Sequence, residues 1–170
     1  MARPIRPFSA MTHAALLAVI LTIASPDRVD ADAFANAVEN ATQGDPDWSA
    51  LLITIAAHES NLSARIAAGG CKPWECDSTL VRGERRFRAW GLFQEHKNLN
   101  NQNYWGSTDL TVQAQSAYRL LKRAYWSCKR VSDGPWVQFT INAYAGKRCD
   151  AEWSGLDARV ATFQRIRRRL

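Results

Sequence analysis

One acidic residue lies where the sequence predicts a buried helix. Pro46 after Asp45 is typical of a helix start. The apolar residues that follow recur at helical spacing, namely Trp48, Leu51, Leu52 and Ile55. Glu59 continues that face by one turn. Burying an unpaired carboxylate is costly, so a carboxyl in such a place has a raised pKa and stays protonated near neutral pH, as a general acid must. We therefore expect an acid catalyst at Glu59, the alternative being a helix-end glutamate turned to solvent.

Two further segments carry side chains suited to carbohydrate contacts. The stretch 89–94 surrounds Gly91, which permits close backbone approach, and ends at Gln94, which offers both a donor and an acceptor. The asparagine-rich stretch 98–104 precedes Trp105 and combines amides with aromatic faces. An ordinary surface loop is the alternative for the second segment.

Helical patterns cover most of the chain and would position these side chains. Apolar spacings of three and four predict helices over 31–41, 46–60, 109–128, 136–144 and 154–170. Asp109 is expected to cap one helix, Gly146 to end another, and Ser154 with Asp157 to form a capping box. No strand-like alternation is evident, and 61–88 is expected to be irregular. The prediction is a mainly α single domain over 32–170, without repeats.

Residues 1–31 have two interpretations. Arginines without acidic residues precede an apolar run over 14–24, which is too short for a membrane span and typical of a signal peptide. Small residues offer cleavage positions after Ala24, Ala31 or Ala33. The alternative is an N-terminal helical extension of the domain that stops at Pro26.

Composition and cysteine content narrow the class of protein. The 170 residues have 46% hydrophobic content and seven tryptophans, as expected of a folded domain. The net charge of +6 favours anionic polymers, but no nucleic-acid recognition motif is present. An even number of cysteines without a Cys-x-x-Cys pair favours disulfides over a metal site. The favoured pairing is Cys71–Cys76, which would staple the 61–88 loop, with Cys128–Cys149.

A basic cluster ends the chain, formed by Arg165, Arg167, Arg168 and Arg169. Cations at a helix C-terminus are stabilised by the helix dipole, and that role accounts for them. The alternative is contact with an anionic polymer of the cell envelope.

Three motifs occur in an order that resembles a known family. They are Glu59-Ser60, Gly91-Leu92-Phe93-Gln94 and 143–146, Ala-Tyr-Ala-Gly. Together they resemble the catalytic domain of the soluble lytic transglycosylases, in the goose-lysozyme-like group of lysozyme folds, over residues 34–165. That family carries Glu-Ser, Gly-Leu-Met-Gln and Ala-Tyr-Asn-Ala-Gly. Phe93 therefore replaces a methionine and Ala145 an asparagine.

The resemblance implies a lysozyme-like fold and a single acid/base, Glu59. It would cleave the β-1,4 bond between N-acetylmuramic acid and N-acetylglucosamine and form a 1,6-anhydro product. Ser60 would lie near the leaving group, residues 91–94 would line the cleft, and Tyr144 would place its hydroxyl close to Glu59. Asn142 is a weaker candidate for sugar contact. Neither a metal nor a cofactor is expected.

The expected partner is the peptidoglycan glycan strand, met by an exported monomer in the periplasm, in the cell envelope or outside the cell. Other carboxylates fall in predicted loops or at a helix start: Asp77, Glu84, Glu95 and Asp109. One alternative is a hydrolase of the same bond with Asp77 as helper. Another is a wall-binding module without catalysis. A nucleic-acid partner is not expected.

Overall fold

The protein is mainly helical. A computed structural model describes residues 11–72, 75–97 and 105–170. Within these ranges it has seven helices, α1 (His13–Leu21), α2 (Ala31–Thr42), α3 (Pro46–Ser60), α4 (Ala64–Ala67), α5 (Leu110–Lys129), α6 (Trp136–Tyr144) and α7 (Leu156–Arg167). Four short strands lie between α4 and α5: β1 (Ser78–Val81), β2 (Glu84–Phe87), β3 (Ala89–Trp90) and β4 (Glu95–His96). The asparagine-rich stretch 98–104 and the basic start of the chain lie outside the described residues.

Helix α3 is the centre of the core, as its apolar sequence predicts. The Asp45 carboxylate accepts hydrogen bonds from the backbone amides of Asp47 (2.9 Å) and Trp48 (3.1 Å), which confirms the expected cap ahead of Pro46. Residues 50–56 are all buried, so α3 contacts other elements on every side, including α2, α5 and α7. Asn61, at a left-handed φ of 52°, ends the helix directly after Ser60.

An aromatic cluster joins α3 to α5 and α6. The Trp48 ring lies 5.7 Å from the rings of Tyr118 and Tyr125, in edge-to-face geometry, and 5.3 Å from that of Trp136. Helix α5 begins with the predicted cap, because Asp109 accepts from the amides of Thr111 and Val112. Burial of these large rings fixes the packing of the helices that carry the site.

The expectation that 61–88 lacks regular structure is wrong. β1 and β2 form an antiparallel hairpin that pairs Val81 with Glu84, and β3 pairs with β4. Arg82 and Gly83, between β1 and β2, both have positive φ (52° and 83°), the geometry of a two-residue turn that matches strand twist. Strands of two to four residues are too short to show a period-2 pattern, so sequence periodicity missed them.

The predicted capping box at the start of α7 is also wrong. The helix begins at Leu156, its N-cap is Gly155, and no side chain caps it. A β-carbon on Gly155 would come within 2.4 Å of the Trp153 ring and 2.7 Å of the Arg159 guanidinium. Close packing of these two side chains against a glycine therefore replaces the cap.

The N-terminal segment packs on the domain. Leu16, Val19 and Ile20 of α1 lie in the hydrophobic core. The His13 imidazole lies 2.9 Å from the Asp32 carboxylate and 3.2 Å from that of Glu39, and hydrogen bonding to Asp32 raises the pKa of His13. This packing is the one expected of a helical extension, and cleavage of a signal peptide stays a prediction. None of the helices in the described ranges has the length and apolar character to cross a bilayer.

All four cysteines lie in the described part of the chain and form two disulfides. Cys71 is bonded to Cys76 and Cys128 to Cys149, with Cα–Cα distances of 5.8 and 5.5 Å. This is the pairing favoured from the sequence. The first closes a loop between α4 and β1, and the second ties the end of α5 to the segment before α7.

Candidate active site

A cleft of about 810 Å³ opens beside the C-terminal end of α3. Its walls come from α3, β4, α5, α6 and the start of α7. The polar and aromatic side chains that line it are Glu59, Gln94, Glu95, His96, Arg123, Ser127, Tyr144, Lys147, Trp153 and Arg159. The cleft therefore brings together residues of all three sequence motifs with residues that no motif marked.

Glu59 lies in the last turn of α3, because the helix ends at Asn61. Its side chain is 26% exposed, and Oε1 accepts a hydrogen bond of 2.9 Å from Nη2 of Arg159. The expectation of an unpaired buried carboxyl is thus wrong. The partner comes from α7, a hundred residues further along the chain, and meets Glu59 because α7 packs against α3.

Arg159 is itself held in place by its surroundings. Its Nη1 donates to the carbonyl oxygen of Gly155 (3.2 Å), and its guanidinium lies over the Trp153 ring, 4.8 Å from the ring centroid. The side chain is only 16% exposed. Backbone and aromatic contacts therefore orient the charged group that faces Glu59.

Asn142 supports this arrangement from below the cleft surface. It is fully buried, and its Oδ1 accepts from Nε1 of Trp153 at 2.8 Å. Its Nδ2 donates to the carbonyl oxygens of Cys149 (2.9 Å) and Ala151 (2.8 Å). The expected sugar contact is therefore wrong: the amide is used to fix the segment 149–153 and the tryptophan under Arg159.

Tyr144, on α6, lines the same cleft as Glu59. Its hydroxyl donates to the carbonyl oxygen of Phe93 (2.8 Å). The family resemblance predicted instead that this hydroxyl would lie close to Glu59. Burial raises the pKa of the Tyr144 hydroxyl well above its ordinary value, and the negative charges of Glu95 and Glu59 add to this effect. The tyrosine therefore stays a neutral hydrogen-bond donor at the edge of the cleft.

The motif 91–94 is a tight turn that presents one side chain to the cleft. Gly91 has a φ of +68°, and its carbonyl oxygen accepts from Nε2 of Gln94 at 2.8 Å. Leu92 and Phe93 are buried, and the Phe93 ring packs 6.3 Å from that of Phe34. Gln94 lines the cleft, as predicted, whereas Leu92 and Phe93 serve the core.

Ser60 lines a second pocket next to Glu59 and not the main cleft. A second pocket of about 570 Å³ is lined by Glu59, Ser60, His58, Arg65 and the segment 25–27. The Ser60 hydroxyl donates to the carbonyl oxygen of Ala56 (2.9 Å) and so remains tied to its own helix. Glu59 thus borders both pockets.

A second carboxylate that sequence reasoning set aside also lines the main cleft. Glu95 lies on β4, is buried, and its Oε2 accepts from the Ser116 hydroxyl at 2.6 Å. The sequence feature that could have identified Glu95 as a cleft residue is its position directly after Gln94, the last residue of the motif 91–94. Asp77, the predicted helper, is instead half-exposed and lies 3.4 Å from Nε2 of His96.

Arg159 carries no such sequence signal, because only the packing of α7 on α3 brings it to Glu59. Trp153, which precedes α7, is held at the cleft by its contacts with Arg159 and Asn142. Comparison with family models, with curated proteins and with solved structures gave no match for this chain.

In the described ranges, no three His, Cys, Asp or Glu side chains converge in a group that could hold a metal ion.

Proposed function

We propose that this protein is a peptidoglycan lytic transglycosylase with a lysozyme-like fold. The observation that carries the proposal is the common cleft of Glu59 and Tyr144, residues from two motifs 85 positions apart. Gln94, from the motif that lies between them in the sequence, lines the same cleft. The order of the three motifs and their convergence on one cleft support the same conclusion.

In this proposal Glu59 acts alone as acid and base. Its carboxyl protonates the oxygen between N-acetylmuramic acid and N-acetylglucosamine, and the bond from C1 to that oxygen breaks. The resulting carboxylate then takes the proton of the C6 hydroxyl of the muramyl sugar. The C6 oxygen bonds to C1, which gives the 1,6-anhydro product without water. Tyr144 and Gln94 supply a neutral donor and an amide at the cleft wall.

A hydrolase of the same bond is the second candidate, and Glu95 favours it. Most glycosidases use two carboxyl groups, one of which activates water or attacks the sugar. Glu95 lines the cleft together with Glu59, whereas Asp77 pairs with His96. Product analysis distinguishes the two candidates, since hydrolysis leaves a reducing muramic acid end.

The proposed partner is an anionic glycan strand met outside the cytoplasm by a monomer. Two disulfides are typical of proteins that fold in an oxidising compartment, and Arg123 and Lys147 add positive charge to the cleft. The C-terminal arginines offer less free positive charge to such a partner than their number suggests. Arg167 pairs with Asp47, which leaves three exposed arginines for an envelope polymer, Arg165, Arg168 and Arg169; Arg169 also donates to the Thr22 hydroxyl.

The test is mass spectrometry of muropeptides released from purified sacculi. Wild-type protein should release anhydro-muropeptides, and Glu59→Gln should lower the rate by about 10²–10⁴-fold, the usual contribution of a general acid–base group. Glu84→Gln, on the exposed hairpin, is the control with the same change of charge. Sacculus binding should survive in both variants. A wild-type protein that binds sacculi but releases nothing would establish a binding module instead.

A further inference from the structure

The hairpin formed by β1 and β2 projects from the domain. Ser78 and Thr79, at the start of β1, are half-buried. Leu80 and Val81 are 66% and 36% exposed, and residues 82–84, at and just after the turn, are exposed as well. Among the described elements, each of these two strands contacts mainly the other. Exposure therefore rises towards the turn, and we call residues 80–84 the hairpin tip.

The root of the hairpin is fixed to the domain. The carbonyl oxygen of Asp77, directly before β1, accepts from the amide of Arg88, directly after β2, at 2.8 Å. The Asp77 carboxylate lies 3.4 Å from Nε2 of His96. Cys76 is buried and bonded to Cys71. Because the root is held at these points, the domain presents the tip in one direction.

The tip carries apolar side chains on both of its faces. Leu80 and Val81 are consecutive on β1, and successive side chains of a strand point to opposite faces. The register of the hairpin pairs Leu80 with residue 85 and Val81 with Glu84. A single exposed apolar residue is common on protein surfaces, whereas two neighbours at a projecting turn form an apolar patch.

The same hairpin carries net positive charge. Residues 78–88 contain four arginines and one glutamate, which gives a net charge of +3. Arg82 lies in the turn, Arg86 on β2 and Arg88 just after it, and all three are exposed. The tip thus combines exposed apolar groups with cations, and Glu84 is the acid among them.

An anionic phospholipid bilayer is the surface that matches both properties. Arginine is attracted to a negatively charged membrane surface, and apolar side chains enter the boundary between headgroups and acyl chains. The long arginine side chain keeps its guanidinium at the headgroups while neighbouring apolar groups lie deeper. An anionic wall polymer would match the arginines alone, because it offers no hydrocarbon to cover Leu80 and Val81.

We propose that the hairpin tip docks on an anionic phospholipid surface, with Leu80 and Val81 in the headgroup boundary and Arg82 and Arg86 on the phosphates. Docking is tip-first, since the two apolar side chains lie on opposite faces. The proposal goes beyond the proposed function, and no described side chain of the hairpin lines the cleft. The contact of Asp77 with His96, which does line it, holds the docked cleft near the membrane.

The test is sedimentation of the full chain, with its disulfides oxidised, together with lipid vesicles. One set contains equal parts of phosphatidylglycerol and phosphatidylcholine, and the other contains phosphatidylcholine alone. The protein should sediment with the anionic vesicles and far less with the neutral ones. Binding should weaken as salt rises from about 0.1 M to about 1 M, since the screening length falls from about 10 Å to about 3 Å. Absence of binding, or equal binding to both sets, would overturn the proposal.

Variants of the tip separate its charge from its apolar surface. Arg82→Gln with Arg86→Gln should weaken binding to the anionic vesicles about tenfold or more, since each arginine near such a surface contributes about fivefold. Leu80→Ser and Val81→Ser should each weaken it about threefold or more, because each removes buried apolar area. Glu84→Gln should strengthen it about twofold or more, because the change removes a repelled charge.

Matched controls make the same changes elsewhere. Leu21→Ser alters a leucine of α1 that is 52% exposed, and Arg165→Gln with Arg168→Gln removes two exposed arginines at the end of α7. Both should retain the wild-type affinity for vesicles. Weakening by these controls as large as that by the tip variants would show a general effect of composition and refute the proposal.

The pattern among the tip variants is equally decisive. Loss of binding in the arginine variant, with no loss in either serine variant, would indicate an ionic contact suited to an anionic polymer and would overturn docking on lipid. An effect of only one serine variant would refute tip-first docking. Circular dichroism checks the fold of each variant, which changes of exposed side chains should preserve.

The proposed function is judged separately, by release of anhydro-muropeptides from purified sacculi without vesicles. The tip variants should release them at the wild-type rate, since none of the changed side chains lines the cleft. Release without vesicle binding would refute docking alone. Vesicle binding without release would refute the proposed function alone.

Discussion

Replacing Gly91 with alanine should destabilise the protein far more than the same change at Gly83. Both glycines have positive φ, +68° and +83°, so alanine is strained at either position by about 1–2 kcal/mol. A β-carbon at Gly83 meets no heavy atom within 4 Å. At Gly91 it would lie 2.4 Å from Oε1 and 2.8 Å from Cδ of Gln113. The Gln113 side chain must therefore move.

That movement has a cost that follows from the hydrogen bonds of Gln113. Its Oε1 accepts from the amide of Leu92 (2.8 Å), and its Nε2 donates to the carbonyl oxygens of Ala67 and Ser107 (2.9 Å each). At about 0.5–1.5 kcal/mol per bond, losing all three adds about 1.5–4.5 kcal/mol. We expect Gly91→Ala to lower the free energy of unfolding by about 2.5–6.5 kcal/mol, against about 1–2 kcal/mol for Gly83→Ala.

Urea unfolding followed by circular dichroism, with the disulfides oxidised, measures both values. A double-mutant cycle with Gln113→Ala isolates the contact. In the Gln113→Ala background, Gly91→Ala should cost only the backbone strain, since the obstructing amide is gone. Equal destabilisation by Gly91→Ala and Gly83→Ala would refute the reasoning. So would strict additivity in the cycle.

Two further predictions concern the disulfides and one ion pair. Replacing Cys128 and Cys149 with serine should lower the free energy of unfolding by about 3 kcal/mol, and replacing Cys71 and Cys76 by about 2 kcal/mol. The Cys128–Cys149 disulfide closes the longer loop and therefore removes more entropy from the unfolded chain. Thermal unfolding of the two variants measures the difference, and the opposite ranking would contradict the prediction. The Arg65 guanidinium, with help from the Lys72 amide, lowers the pKa of Glu75 from 4.5 to about 2. A carboxyl whose pKa is lower in the folded state stabilises above the unfolded value, so this contribution should be lost as pH falls from 4.5 towards 2. The gap in urea midpoint between wild type and Glu75→Gln should shrink over that range, and a constant gap would refute it.

Local patterns in the sequence predicted the helices α2, α3, α5 and α6, but not the short helix α4, which lies in the stretch expected to be irregular. The cap at Asp45 and the apolar run of α3 predicted a buried helix ending near Ser60, and the structure confirms both. Asp109 was likewise identified as a cap. These features depend on neighbours within one or two turns, which a sequence displays directly. The disulfide pairing was one of three choices, and the shorter loops favoured the one observed.

The short strands and the start of α7 could not be predicted from local sequence patterns. Two-residue strands have no period to read, and the contacts of Gly155 with Trp153 and Arg159 override the capping signal of Ser154. The family resemblance implies a sugar contact for Asn142, as a weaker candidate. In the tertiary structure its amide is hydrogen-bonded instead to Trp153 and to backbone carbonyl oxygens.

By itself the sequence determined that this chain is a mainly helical domain with an acid at the end of its central helix. Only the tertiary structure decided which charged groups lie next to that acid. Arg159 is a hundred residues away and reaches Glu59 because α7 packs on α3, and electrostatic partners are set by distance in space. Glu95 reached the cleft for the same reason, since β-hairpin pairing turned a residue expected in a loop inward beside Ser116.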